Sequence, residues 1–168
     1  MPEMPQHQLP PPRWKMFARN CLMGVLIVLI LPIWLPLAVI FFVIPRVLLY
    51  ILIWLVWLPR GRDVLFVYSD SPIWKEYMLE EILPLVRERA AILNWSERSR
   101  WRRWSLAVQV FQALGGDREF NPLVIVFRPL RLARKFRFWR AFKAWKHGDQ
   151  EPVAKLRQEV IEVLESVL

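Results

Sequence analysis

Side chains able to do acid–base or anion chemistry gather at three places in this 168-residue chain, each beside an apolar run of strand length. Val64-Leu-Phe-Val-Tyr68 is followed by Ser69, Asp70 and Ser71. Ala90-Ala-Ile-Leu-Asn-Trp95 carries Asn94 and leads into Ser96, Glu97 and Arg98, and Leu123-Val-Ile-Val-Phe127 is followed by Arg128. In an open parallel sheet, ligands bind beyond the carboxyl ends of the strands. If these runs are neighbouring parallel strands, Asp70 and Glu97 are candidate catalytic carboxylates. Ser69, Asp70, Ser71, Asn94, Ser96, Glu97, Arg98 and Arg128 together are candidate ligand-binding residues. The set suits acid–base chemistry or capture of an anionic ligand near a helix N-terminus. The competing reading is structural: Asp70, Ser71 and Ser96 are all good helix caps, and polar clusters of this kind are often plain ion pairs.

Other chemistries lack their residues. The chain has one cysteine, Cys21, and its two histidines are His7 and His147, which excludes a zinc site of the usual spacing and any internal disulfide. That cysteine usage fits a reducing compartment. Cys21 itself is either a small apolar helix residue or a juxtamembrane acylation site. Gly115-Gly116 is the sole glycine pair, there is no threonine, and no phosphate-binding glycine loop occurs. No serine has a histidine near it in sequence. No cofactor and no metal are expected.

Charge points to a surface. Lys and Arg number 24 against 15 Asp and Glu, a net charge of +9. Arg98, Arg100, Arg102 and Arg103 alternate with Trp101 and Trp104, and basic residues recur every third position from Arg134 through Arg137, Arg140 and Lys143 to Lys146. Arg100, Arg102, Arg103, Arg137, Arg140 and Lys143 are candidate contacts for lipid headgroups, since Arg and Lys meet phosphates while Trp sits at the interface. Nucleic acid binding uses similar residues, but beside a membrane segment it is the weaker reading.

The elements that would position these residues follow from pattern. Continuous apolar runs mark strands buried on both faces. Ser69-Asp-Ser-Pro72 opens a helix running to about Arg89 and kinked at Pro84. Leu106–Leu114 reads as a helix stopped by the glycine pair. Pro152 starts a last helix with an apolar stripe at 153, 156, 160, 163 and 167. Residues 131–138 alternate best as a strand, passing into a short turn or helix. The fold class expected is a small three-layer α/β domain with a mostly parallel central sheet and a βαβαβ core. The order βαβ followed by ββα, with Pro122 just before the third strand, also resembles a thioredoxin-type arrangement over residues 63–168. The positions of that family's redox cysteines hold Ser71, Pro72, Ile73 and Trp74, so thiol chemistry does not carry over. Val67-Tyr-Ser-Asp70 resembles a segment of Toll/interleukin-receptor domains, whose later motifs and catalytic glutamate have no counterpart here. Neither resemblance is adopted as an assignment.

Ahead of this domain stands an apolar segment, residues 21–58, with Arg46 as its one charge. A bilayer core takes about 20 apolar residues per helical span. The expected organisation is a basic tail, 1–20; a membrane-embedded segment, 21–58; a short linker, 59–63; and an α/β domain, 64–168. Basic residues on both flanks (Arg13, Lys15 and Arg19 before, Arg60, Arg62 and Lys75 after) favour an α-helical hairpin bent at Pro32-Ile-Trp-Leu-Pro36, both ends cytoplasmic. A bend at Pro45-Arg46 would spare that arginine a depth where it costs about 2.5–3.5 kcal/mol. A single span over 20–44 with 47–58 in the interface is the alternative; 47–58 has no polar side to show to water. Residues 62–168 are expected to fold without the membrane segment. The functional expectation is a binding or scaffolding module at the cytoplasmic face of a membrane, its partner the bilayer with anionic headgroups, and a homo-oligomer through the apolar segment is open to it. The alternative is a membrane-bound enzyme acting on a phosphorylated or lipid-derived small molecule.

Overall fold

The computed structural model describes residues 13–166, which divide into two compact units at Pro45 and Arg46. The tail before Arg13 (with His7) lies outside the described residues, as does Val167, the last position of the expected apolar stripe, with Leu168 after it. The side chains of Arg13, Trp14, Lys15 and Arg19 lie outside them too.

The first unit is helical: α1 (Arg13–Ala38) passes into a π-helical turn, Val39–Val43. The bend expected at Pro32–Pro36 does not form, because both prolines lie inside α1. Each proline removes one amide donor. A reverse turn would unpair several backbone groups at once, and an apolar segment has nothing else to satisfy them. The other candidate bend, Pro45-Arg46, falls within α2 (Ile44–Leu52), where the two units divide. All side chains described in this unit are exposed, among them Phe41, Phe42 and Trp34. By length and composition, Trp34–Arg60, 27 residues containing an 18-residue stretch of mean hydropathy 2.6, is a helix able to cross a membrane.

The second unit, Arg46–Leu168, takes in residues 46–58, which the sequence reading assigned to the membrane segment. Helix α2 runs on through a π turn (Ile53–Trp57) and a 3-10 turn (Leu58–Arg60). Gly61, at φ 69°, ends it: Arg62 N–H reaches back to Trp57 O at 2.9 Å. A left-handed residue at this position is the usual helix stop, and glycine adopts it without steric cost. The chain then enters the sheet, β1 (Val64–Tyr68), β2 (Ala90–Asn94), β3 (Leu123–Val126) and β4 (Arg134–Arg137), in the order β2-β1-β3-β4.

Only β1 and β2 are parallel; β3 runs antiparallel to β1, and β4 to β3. The expected mostly parallel sheet is therefore corrected to a mixed α/β sheet. Burial on both faces led to the parallel expectation, and β3 is indeed wholly buried. But any interior strand covered by helices on both sides is buried in this way, whatever its direction.

Helices cover both faces, giving three layers. On one face Phe66, Val64, Val124, Val126 and Phe136 pack with Met78, Ile82 and Val86 and with Phe142, Val153, Val160 and Val163. These come from the broken helix after β1 (α3, Lys75–Tyr77; a π turn, Met78–Ile82; α4, Leu83–Val86), from α6 (Trp139–Trp145) and from α7 (Glu151–Glu165). On the other face Leu65, Val67, Ile125 and Phe127 pack with α5 (Leu106–Leu114) and with Leu49, Ile53 and Trp57 of the entering helix. Those three residues fall four apart, one stripe of the helix. Across the sheet's lower end, Arg89 makes a two-point ion pair with buried Asp63, its Nε 2.9 Å from Oδ1. Arg89 thereby joins the starts of β1 and β2.

Candidate functional site: the polar strand ends and an aromatic crevice

Because β1 and β2 are parallel neighbours with Tyr68 opposite Asn94, their carboxyl ends come together. Asp70 N–H donates to Ser96 Oγ at 2.9 Å, Asn94 Nδ2 donates to Asp70 Oδ2 at 3.1 Å, and Lys75 Nζ lies 2.8 Å from Asp70 Oδ1. Asn94 Oδ1 in turn accepts from Ser96 N–H at 3.0 Å, starting the 3-10 turn Trp95–Arg100. Ser69 is buried and its hydroxyl accepts from Trp74 Nε1 at 3.0 Å, while Ser71 Oγ takes the Ile73 amide. Asp70, Asn94 and Ser96 thus form one hydrogen-bonded ring that ties two strand ends, with Ser69 beside it.

Asp70 is exposed, and hydrogen bonds from Lys75 and Asn94 hold its carboxyl below the ordinary aspartate pKa. It stays ionised at neutral pH and has no proton to give. Glu97 and Arg98 are exposed on the 3-10 turn, Arg98 lying 5.2 Å over the Trp95 ring. Neither enters the ring of hydrogen bonds around Asp70. Arg128 does not join this group. Antiparallel β3 pairs Val126 with Val64, so the residues after β3 lie at the amino end of β1. That end, Val64, is six positions from Asp70, about 20 Å of extended chain at roughly 3.3 Å each.

The same reversal brings other residues to the Asp70 end. Leu123 lies opposite both Val67 and Arg137, so Glu119, Phe120 and Asn121 before β3 and Trp139 after β4 arrive beside β1. With Trp74 and Trp95 they line a crevice of about 320 Å³. Trp74 and Trp139 meet edge to face at 5.4 Å, and the tilted rings of Trp95 and Phe120 lie 4.6 Å apart. Asn121 Oδ1 is buried and has no hydrogen-bond partner, and a buried acceptor left this way favours a ligand that brings a donor. Glu119, at φ 54°, holds the left-handed conformation that non-glycine residues avoid, and its carboxylate takes Arg140 Nε at 2.6 Å. The Asn121–Pro122 bond is cis. A second hollow of about 230 Å³ shares Trp74 and Trp139 and is rimmed by Lys143, Lys146 and His147.

The headgroup candidates separate. Arg137 is used internally: it donates to the Arg118 carbonyl and lies against Gly116, where a Cβ would stand 3.0 Å from its guanidinium. Arg140 is held by Glu119. Arg100, Arg102, Arg103 and Lys143 are exposed, as is Trp104. Trp101 is partly buried and donates to Asn94 O at 3.1 Å. Among the described residues, no group of three or more His, Cys, Asp or Glu is placed to hold a metal ion.

Sequence reasoning missed the crevice. Of its aromatic residues, Trp139 belongs to a stripe visible every third position from 136 to 145, but on a helix such a stripe drifts by about 60° per step. Seven residues of α6 are too few for the drift to matter, and Phe142 is buried while Trp139 stays half open. Glu119-Phe120-Asn121 carried no signal until β3 was known to run backwards.

The class defined by these features is a mixed α/β domain joined to a helix of membrane-spanning length and composition. Compared with protein-family models, with curated proteins and with solved structures, the chain matches none.

Proposed function

We propose that this is a membrane-anchored binding module whose ligand sits in the crevice between Trp74, Trp95 and Trp139. The observation that carries it is the buried Asn121 acceptor without a partner in an aromatic-walled hollow at the sheet end. Mostly apolar concavities with few convergent polar groups are the ordinary form of a binding site. The ligand has an apolar or aromatic body and a hydrogen-bond donor for Asn121, with an anionic end towards Lys143 and Lys146. Support for a thioredoxin-like variant without its thiols comes from the strand order β2-β1-β3-β4, the single parallel pair and Pro122 ahead of β3. Ser71, Pro72, Ile73 and Trp74 stand where that family would carry its redox cysteines, so the fold would serve binding alone. The enzyme reading loses ground because Asp70 is exposed, ionised and engaged by Lys75.

The anchor is residues 20–44, entering the bilayer as one helix. About 25 residues at 1.5 Å each give roughly 38 Å, against a hydrocarbon core near 30 Å. Residues 47–58 belong to the second unit, with Leu49, Ile53 and Trp57 packed on the sheet and the opposite face exposed. The heavier basic side, with the α/β unit, is cytoplasmic.

The test is binding of small aromatic acids and short peptides to the full chain in lipid nanodiscs, read from the indole N–H signals of Trp74, Trp95 and Trp139. Saturable shifts lost in Trp139→Ala and Asn121→Ala but kept in Asp70→Asn are expected. Loss of cellular function in Asp70→Asn at unchanged stability, with no indole shifts, would sink the crevice reading and restore the enzyme one.

A further inference from the structure

The connection from β3 to β4 reads Arg128-Pro-Leu-Arg-Leu-Ala-Arg134. Leu130 is 84% exposed and Leu132 78%. Isolated exposed leucines are ordinary, but these two alternate with arginines on a loop that turns outward. Leu130 is held at φ 53°, and Arg131 N–H closes the turn onto Arg128 O at 3.3 Å. A leucine in the left-handed region is disfavoured where glycine would be free, and such strain concentrates at functional positions. None of Arg128, Arg131 and Arg134 makes an ion pair among the described residues. Nearby Lys135 is held below the ordinary lysine pKa by burial and then by the charges of Arg137 and Arg46. Glu159 and Glu162 share a hollow with Arg134 and Lys135 but form no ion pair with either, and Arg128 and Arg131 do not line that hollow.

Its place in the fold matters. Ala133 N–H donates to Tyr50 Oη at 3.3 Å, which fastens the loop to α2. On that helix the surface neighbours of Tyr50 three and four residues back are Val47 and Arg46, both exposed. Pro45, the last residue of the long uncharged segment, comes directly before them in the chain. We propose that residues 128–134 are a second membrane contact, in which Leu130 and Leu132 enter the apolar edge of an anionic bilayer while Arg128, Arg131 and Arg134 take headgroup phosphates. The proposal rests on the anchored reading above. A lipid surface fits better than a protein partner because two separate apolar prongs between unpaired arginines match the layered chemistry of an interface: phosphate outside, hydrocarbon within. Because Asp70 and the crevice lie at the other end of β1, this contact would turn the crevice away from the membrane.

The test uses the full chain with Cys21→Ser and a single new cysteine, Leu132→Cys or Trp104→Cys, carrying an environment-sensitive fluorophore. The protein is reconstituted in phosphatidylcholine vesicles with and without phosphatidylglycerol. The expected result is blue-shifted emission at 132, quenched several-fold more by nitroxide-labelled lipids than at 104, and more so with phosphatidylglycerol. Leu130→Gly suits the backbone at φ 53° and keeps the fold, and it is expected to lower quenching at 132 towards the level at 104. Equal exposure of both labels to aqueous iodide overturns the proposal. So does a label at 132 that is shielded but indifferent to lipid nitroxides and sensitive to protein concentration, the sign of a second copy or another protein. Extraction of the chain by alkaline carbonate overturns the anchor itself, independently of where the label sits.

Discussion

Asp70 shows how one carboxylate can be prominent in sequence and modest in chemistry. Its partners, Lys75, Asn94 and Ser96, stabilise the ionised form, and Lys75 is correspondingly raised by Asp70. A carboxyl with a lowered folded pKa contributes stability above its unfolded pKa and loses it as pH falls through the folded value. The window is therefore acidic, below the ordinary aspartate range, and the exposure of the pair keeps the effect small. An NMR titration of the Asp70 carboxyl is expected to show a midpoint below that range, moving up in Lys75→Ala. A midpoint unmoved by that substitution would remove the ion pair from the account. Ser69, Asn94 and Ser96 were legible as strand-end polar residues because strand runs and their terminators are local patterns. Asn121 was not, since nothing local marks an amide whose partner is missing.

At the scale of elements, α2 was the segment whose sequence was hardest to place. Residues 47–58 are apolar on every side, which argued against an interfacial helix when only water was considered as the other environment. The sheet supplies a third. Leu49, Ile53 and Trp57 are buried against it, while Val47, Leu48, Ile51, Leu52 and Leu55 stay exposed. The two faces predict opposite behaviour. Ile53, wholly buried, is expected to cost about 2–5 kcal/mol when cut to alanine. Leu55, 69% exposed, is expected to change stability by less than about 0.5 kcal/mol. Denaturation of both variants in the same detergent measures this. Equal losses would mean that α2 does not pack on the sheet as described. The helix after β1 is a milder case: Pro84 was expected to kink it, and the run breaks into α3, a π turn and α4 around that proline.

The whole molecule sets where the folding unit begins. A fragment starting at residue 62 leaves Leu65, Val67 and Phe127 without the cover of Leu49, Ile53 and Trp57. The autonomy expected for 62–168 is therefore replaced by a different expectation. Residues 46–168 in mild detergent should unfold cooperatively, whereas 62–168 should aggregate or bind a hydrophobic dye. Cooperative unfolding of the shorter fragment would show that α2 is dispensable to the core. Sidedness belongs to this scale as well. With no turn at Pro32–Pro36, the anchored reading expects a single crossing, and cysteine labels placed at residue 5 and residue 166 in sealed vesicles are expected to react from opposite sides. Labelling from one side at both positions would bring back the hairpin.

Sequence by itself determined the inventory: an uncharged stretch of membrane length, buried strand runs, an amphipathic last helix and a cysteine supply too small for thiol or zinc chemistry. These are local properties, written in composition and period. Tertiary structure decided the direction of β3, and with it which polar residues meet. Reversing one strand sent Arg128 to the far end of the sheet and brought Glu119, Phe120, Asn121 and Trp139 to Asp70's end. A strand buried on both faces has the same apolar sequence in either direction, so its direction is fixed by pairing and crossover packing, not by the residues of the strand. The same holds for α2: whether an apolar helix faces lipid or protein depends on what the rest of the chain places against it.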